Sequence, residues 1–190
     1  MKKQPMVMAV LLTASIFTIT YGHKTALSQP NLIPIQLTRN NVRQRQQKFI
    51  NKVAQGNLAE IELGRLSEQK AESNEVKQFG RIMVTDHTRL NQELQDLAHQ
   101  KGATFPSDIG KENKRIKTNL ENLSGADFDK AYIQQMVADH NKDIALYRRQ
   151  SQQGDDEDLK NWAAKNLPIL QEHLRLARSI QDNLTGSGRK

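Results

Sequence analysis

The chain predicts an all-α fold, with four long helices paired into two hairpins. Three observations lead there. From Asn40 onward, apolar residues recur at three- and four-residue steps, the period of a helix that buries one face. Short breaks near Glu72 and Asp155 separate pairs of such segments, and tight turns make antiparallel neighbours. A five-residue phrase also occurs twice, as Met83-Val84-Thr85-Asp86-His87 and Met136-Val137-Ala138-Asp139-His140, the second copy starting 53 positions after the first. The repeat suggests that the hairpins are related.

The first long helix is expected from Asn41 to about Ala71, with Phe49, Ile50, Val53, Ala54, Leu58, Ile61 and Leu66 as its apolar set. Ser73 can cap the second, because its hydroxyl accepts from the first unpaired N–H groups. Val76, Phe79, Met83, Leu90, Leu94 and Leu97 form the buried stripe of that helix, and Gly102 suits the left-handed position that ends it. A loop through Pro106 leads to a short polar helix, Asp108 to Asn122, broken by Ser124-Gly125. The third long helix runs from Ala126 to about Gln153, with Phe128, Tyr132, Ile133, Met136, Val137, Ile144 and Tyr147 inward, and Gly154 ends it. Asp155, Asp156 and Glu157 put negative charge at the start of the fourth, where the helix dipole favours it. That helix buries Leu159, Trp162, Leu167, Leu170, Leu174 and Ile180, and Pro168 inside it should bend it. Two hairpins joined by a long link with its own short helix are the sketch of a ferritin-like four-helix bundle spanning residues 41–184. Residues 185–190 read as a flexible tail.

The N-terminus reads as a targeting segment. Lys2 and Lys3 precede an uncharged apolar run of 15 residues, Met6 to Thr20, and Ala26-Leu27-Ser28 offers the small residues a signal peptidase reads. Residues 1–28 are expected to be a signal peptide cleaved between Ser28 and Gln29, followed by a flexible tether over 29–40. The run is shorter than the roughly 20 residues a transmembrane helix needs, so no span is expected after cleavage. The protein would then be periplasmic or secreted. Cysteine is absent, which excludes disulfides and a lipid-modified N-terminal cysteine.

Charge narrows the partners. The formal excess of +7 would fall to +4 once Lys2, Lys3 and Lys24 leave with the signal segment. Lys111, Lys114, Arg115 and Lys117 form the densest basic cluster, with no aromatic residue among them to stack on a base. Nucleic acid is therefore not an expected partner; another envelope component is the candidate. An enzymatic role has least support, since there is no cysteine, no Gly-x-Ser-x-Gly and no phosphate loop.

Chemistry concentrates in the histidines. Of five, His23 falls in the signal segment and His99 near the end of the second helix. His87 lies 15 residues after the first turn, His140 lies 15 before the second, and His173 lies 18 after it, while Glu60 lies 12 before the first. At 1.5 Å per residue these stand about 18–27 Å from a bundle end, near mid-height of helices about 42 Å long. Each histidine shares its stripe with core residues. The spacing points to a metal site of His87, His140 and His173, with Glu60 or Glu62 as a fourth ligand; neighbouring apolar residues do not decide which glutamate faces in. Asp86, Asp139 and Glu172 are placed to orient imidazoles. Three imidazoles and a carboxylate suit zinc, iron or manganese, and Met83 and Met136, each four residues before a histidine, would tilt the site toward copper(I). The alternative is a metal-free polar network that fixes helix register within an envelope interaction or stress-protective module.

An ordered set of motifs then resembles a known family: Ala54-Gln55-Gly56-Asn57-Leu58-Ala59-Glu60-Ile61-Glu62-Leu63-Gly64-Arg65-Leu66, Val76-Lys77-Gln78-Phe79-Gly80, the two histidine phrases, Gly125-Ala126-Asp127-Phe128-Asp129-Lys130-Ala131-Tyr132, and Leu167-Pro168-Ile169-Leu170-Gln171-Glu172-His173. Together they resemble the domain-of-unknown-function family 4142, exported bacterial proteins often labelled outer membrane proteins. The resemblance covers about Phe49 to Leu184. It implies a ferritin-like four-helix fold and export, and no activity. The chain shows no ten-residue alternation of the kind a membrane barrel requires. Ferritin-like di-iron centres use Glu-x-x-His, whereas Val84, Val137 and Leu170 stand three residues before the histidines here, so the bridging carboxylates of that chemistry are missing.

Overall fold

A computed structural model describes residues 33–186, with side chains from residue 36. Among these residues the fold is all-helical: α1 (Ile33–Lys70), α2 (Asn74–Gln100), α3 (Gly110–Glu121), α4 (Gly125–Gln153) and α5 (Glu157–Leu184). The expected signal peptide, its cleavage site, residues 29–32 of the expected tether and residues 187–190 of the tail lie outside the described residues.

The expected tether over 29–40 is corrected where it is described. Helix α1 starts at Ile33, eight residues before the expected Asn41. Pro34 stands in its first turn, where a missing N–H costs nothing because that group has no intrahelical partner. Residues 36–41 are exposed, Leu37 at 58%, so no apolar period betrays the helix there.

Helices α1 and α2 form one hairpin and α4 and α5 the other. The hairpins meet along α2–α5 and α1–α4, so each long helix has two neighbours. The core divides into two apolar halves. One contains Phe49, Val53, Leu90, Leu94, Tyr147, Leu159 and Trp162; the other contains Leu63, Phe79, Met83, Phe128, Tyr132, Met136 and Ile180. The end of α2 belongs to the first half and the start of α4 to the second, so the link carrying α3 crosses the length of the molecule. Helix α3 packs on α1 and touches α4.

Between the halves lies a polar layer to which every long helix contributes: Asn57 and Glu60 from α1, His87 from α2, His140 from α4 and His173 from α5, all 3% exposed or less. Burying a polar group is unfavourable unless it finds a partner. The fold therefore holds a deliberate polar stratum in an otherwise apolar core.

The ends are tied by specific polar contacts. Ser73 caps α2 by accepting from Glu75 N at 3.2 Å, and the backbone of the turn before it donates to Asp129 of α4, Ser73 N at 2.8 Å and Glu72 N at 3.2 Å. At the other end Asp156 caps α5 by accepting from Leu159 N at 3.0 Å and also receives Lys101 Nζ at 2.7 Å. Gly102 ends α2 with φ +62°, in the conformation glycine adopts most readily. Helix α5 runs unbroken through Pro168, which lies on the exposed face, where the carbonyl it leaves unpaired can meet water. Helices α1 and α2 approach closely at Gly64 and Gly80; a Cβ on Gly64 would stand 2.6 Å from the Gly80 carbonyl oxygen.

Candidate metal centre

Three helices present one imidazole each to a common point. A ring nitrogen from each of His87, His140 and His173 lies within 4.8 Å of the others. Ring centroids are 5.3 Å apart for His140–His173, 5.4 Å for His87–His173 and 5.8 Å for His87–His140. All three are 1% exposed or less.

Their outer partners determine which nitrogen carries the proton. His140 Nδ1 lies 2.9 Å from the Met136 carbonyl oxygen, which can only accept, so Nδ1–H donates and Nε2 is bare. His173 Nε2 lies 2.9 Å from Asp86 Oδ2 on α2, so Nε2–H donates and Nδ1 is bare. His87 Nδ1 lies 3.0 Å from Asn57 Oδ1 and 2.8 Å from Glu60 Oε2. Both are acceptors, which leaves His87 Nε2 bare, and that atom is buried with no hydrogen-bond partner. The bare His140 Nε2 and His173 Nδ1 face each other at 3.3 Å. Two ligands of a tetrahedral ion with bonds of about 2.0–2.1 Å stand about 3.3–3.4 Å apart.

A proton is a poor occupant of this gap. Burial lowers the pKa of His87 to about 4 and that of His173 to about 4. Burial likewise lowers His140, and the neighbouring Glu60 opposes the shift only in part. Neutral imidazoles with inward lone pairs are what a transition-metal ion requires. Their outer N–H groups held by Asp86, Met136 and Asn57 supply the hydrogen bonds that orient such ligands.

Glu60 is the inward glutamate, 3% exposed. It approaches the protonated edges of two rings, Oε2 at 2.8 Å from His87 Nδ1 and Oε1 at 3.5 Å from His140 Nδ1. Neither oxygen has hydrogen-bond geometry to any donor. Burial raises its carboxyl to about 7, with His140 opposing the shift and Asp139 adding to it. Glu60 thus sits behind the imidazoles rather than among their bare nitrogens.

The other expected site residues fall elsewhere. Glu62 is turned toward α3 and pairs with Lys117 at 2.8 Å, because its station on α1 lies under the link helix. Glu172 is exposed and pairs with Arg175 at 2.6 Å, one turn along the outer face of α5. Asp139 accepts from Gln135 at 2.8 Å and meets Lys142 at 3.4 Å instead of an imidazole. Met83 and Met136 are fully buried in the apolar half beside the layer, as core filling. Sequence reasoning missed Asn57, the His87 partner. Its only signal was a polar residue three positions before Glu60, on the same helix face.

No described helix is long and apolar enough to cross a membrane. Neither a curated protein nor a solved structure matches the chain. A family model described as "Domain of unknown function (DUF4142)" matches residues 35–180, a stretch that contains all four long-helix contributions to the polar layer. The chain belongs to this family.

Proposed function

We propose that this protein is an exported, ferritin-like four-helix bundle that binds one transition-metal ion on His87, His140 and His173. The observation that carries the reading is the set of three bare nitrogens, His87 Nε2, His140 Nε2 and His173 Nδ1, left unprotonated by acceptors behind the rings. A self-sufficient polar network would pair its own lone pairs with N–H groups, and here His87 Nε2 is buried with no partner. Three neutral imidazoles suit Zn²⁺ first and accept iron, manganese or copper by the same donor chemistry. Burial to 1% exposure or less fits retention of an ion rather than turnover of a substrate. The ferritin-like assignment is supported by the two hairpins and the long link running between opposite ends. Export is supported by the basic start, apolar run and small-residue site of the first 28 residues.

The test is the metal content of tag-free protein purified without chelator, beside the His87→Ala/His140→Ala/His173→Ala triple variant. Close to one ion per chain, lost in a variant that keeps its helical circular dichroism, is the expected result. Absence of metal from both proteins after incubation with zinc, iron, manganese and copper(I) salts would overturn the reading and leave the histidines as a structural layer.

A further inference from the structure

The first part of α1 carries charge of one sign. Between Ile33 and Ala59 it holds Arg39, Arg43, Arg45, Lys48 and Lys52 and no acidic residue. Arg45, Lys48 and Lys52 stand three and four residues apart, so they share one face of the helix. That face borders a groove of about 400 Å³ against the end of α4, where Arg149 lines the other wall. The floor is apolar, made by Phe49 of α1 and Leu146 of α4. Phe49 meets Tyr147 and Trp162 edge-on, with ring centroids 6.2 and 6.3 Å away, so the floor is a fixed part of the core. The cations around it are exposed.

Pairing separates this groove from the other basic surface. Lys114, Arg115 and Lys117 of α3 each meet an acid at 2.8 Å, respectively Asp108, Glu112 and Glu62, so that cluster is largely neutralised within the fold. In the groove only Arg45 is matched, by Asp155 at 2.7 Å. Lys48, Lys52 and Arg149 make no ion pair among the described residues. Lys52 also borders the recess beneath α3, where it acts on Asp143 and Glu112 through space without closing a pair with either. Three unmatched cations along one groove repel one another, and an anion between them turns that repulsion into attraction.

We propose that the α1–α4 groove docks the protein on an anionic phospholipid surface, with one headgroup phosphate between Lys48, Lys52 and Arg149 and the adjoining glyceryl and acyl carbons on Phe49 and Leu146. Three features select that occupant. The apolar floor lies directly beneath the cations, which suits an anion that continues into hydrocarbon and contributes nothing to a bare phosphate. The seven steps from Arg45 to Lys52 span about 10 Å of helix, room for one headgroup and too short for a run of an anionic polymer. Exposed cations hold a lone soluble anion weakly because salt screens them, whereas a surface crowded with phosphates attracts them together. Lysine suits the task, since its stem lies along apolar surface while its ammonium reaches the phosphate. The docking does not rest on the metal reading: these cations are exposed, and the imidazoles are sealed in the core.

The probe is a pair of vesicles, phosphatidylcholine alone and phosphatidylcholine mixed with phosphatidylglycerol, with binding of the tag-free protein read by co-sedimentation at physiological ionic strength. The protein is expected to prefer the mixed vesicles, and its binding to phosphatidylcholine alone measures attachment through other segments. Lys48→Gln/Lys52→Gln is expected to weaken the preference about 30-fold, about fivefold for each lysine removed. Lys111→Gln/Lys114→Gln takes the same charge from α3 and is expected to bind as the parent does. All four lysines are exposed, and unchanged helical circular dichroism checks both folds. No preference for the anionic vesicles, or equal losses in the two double variants, would overturn the proposal. Full displacement from the vesicles by millimolar glycerol phosphate at constant ionic strength would overturn it too, by making a soluble phosphate ester the occupant.

Discussion

His140 Nε2 and His173 Nδ1 stand 3.3 Å apart across the α4–α5 interface, and their outer partners leave neither of them protonated. A pair of facing lone pairs is repulsive. It persists because the Met136 carbonyl and the Asp86 carboxylate hold the protons on the opposite ring edges. The contact is therefore unfavourable by itself and becomes favourable only when a cation enters.

Asp86 is the residue that keeps His173 in this state. Its carboxylate can only accept, so it requires Nε2–H. In Asp86→Asn the amide can instead donate, the proton can move to Nδ1, and His173 can then donate to His140 Nε2. We expect Zn²⁺ affinity about 10–100-fold weaker, measured by chelator competition. The metal-free variant should be no less stable than the parent in urea. Unaltered affinity would mean that Asp86 does not set the tautomer.

Acid should weaken the metal-free protein, with two opposing contributions. The folded-state pKa values of His87 and His173, about 4, lie below the ordinary 6.5, so their contribution is whole above pH 6.5 and is lost as pH falls toward 4. His140 shifts the same way. Glu60 runs in reverse: its folded value of about 7 lies above the ordinary 4.5, so its contribution is present at low pH and is lost as pH rises to 7. Three histidines outweigh one carboxyl, and Asp143, also raised by burial, offsets part of the remainder. Each net proton is worth about 1.4 kcal/mol per pH unit. Urea unfolding between pH 6.5 and 4.5 should show a fall of one to two net protons, roughly 1.4–2.8 kcal/mol per unit at its steepest. Glu60→Gln should steepen it. Stability that holds level or rises on acidification would contradict neutral burial of the histidines.

The convergence of His87, His140 and His173 was legible because similar residue counts from two tight turns set a common height, and because each shares a stripe with apolar residues. Helix α1 resisted the same reading. It is covered by α2, α4 and α3 on three sides, so its buried face is wide and its period blurred. Asn57 and Glu60 lie in the core while Leu58 is only half-buried. The choice between Glu60 and Glu62 depended on the position of α3, which no local pattern encodes. The repeated phrase also misleads about Asp139. Asp86 faces α5 across a hairpin boundary, whereas Asp139 faces the recess beneath α3. Equal sequence positions acquired different neighbours because only one hairpin carries the link helix.

Two glycines of α1 and α2 should respond oppositely to alanine. At Gly80 a Cβ would lie 2.8 Å from the Gly64 carbonyl oxygen and collide with Ser67 Oγ, whose hydroxyl donates to that same carbonyl at 2.7 Å. Backbone cannot yield as a side chain does, so Gly80→Ala should destabilise by about 1–3 kcal/mol. At Gly56 the nearest atom would be Asp143 Oδ2 at 3.9 Å, an ordinary contact. Gly56→Ala should stabilise by about 0.5–1 kcal/mol, from the helix preference for alanine. Denaturant midpoints decide both; a neutral Gly80→Ala would mean that the hairpin is not closely packed there.

Asp129 joins the two hairpins at the end opposite Lys101. It is 2% exposed, and both of its oxygens are used, by Ser73 N at 2.8 Å and Glu72 N at 3.2 Å. These two N–H groups lie between α1 and α2, where no helical carbonyl reaches them, so a carboxylate from α4 completes the turn. Asp129→Ala should leave both donors without their acceptor and cost about 2–4 kcal/mol, given about 1–3 kcal/mol for a buried donor that loses its partner. Asp129→Asn keeps one acceptor oxygen and should cost less. Ser73→Ala removes only the local cap and should cost about 1 kcal/mol, since it leaves the inter-hairpin contact intact. Hydrogen exchange adds a local readout: the Glu72 and Ser73 amides should lose protection in Asp129→Ala and retain it in Ser73→Ala. If Asp129→Ala proved milder than Ser73→Ala, with both amides still protected, the tie between hairpins would have to come from elsewhere.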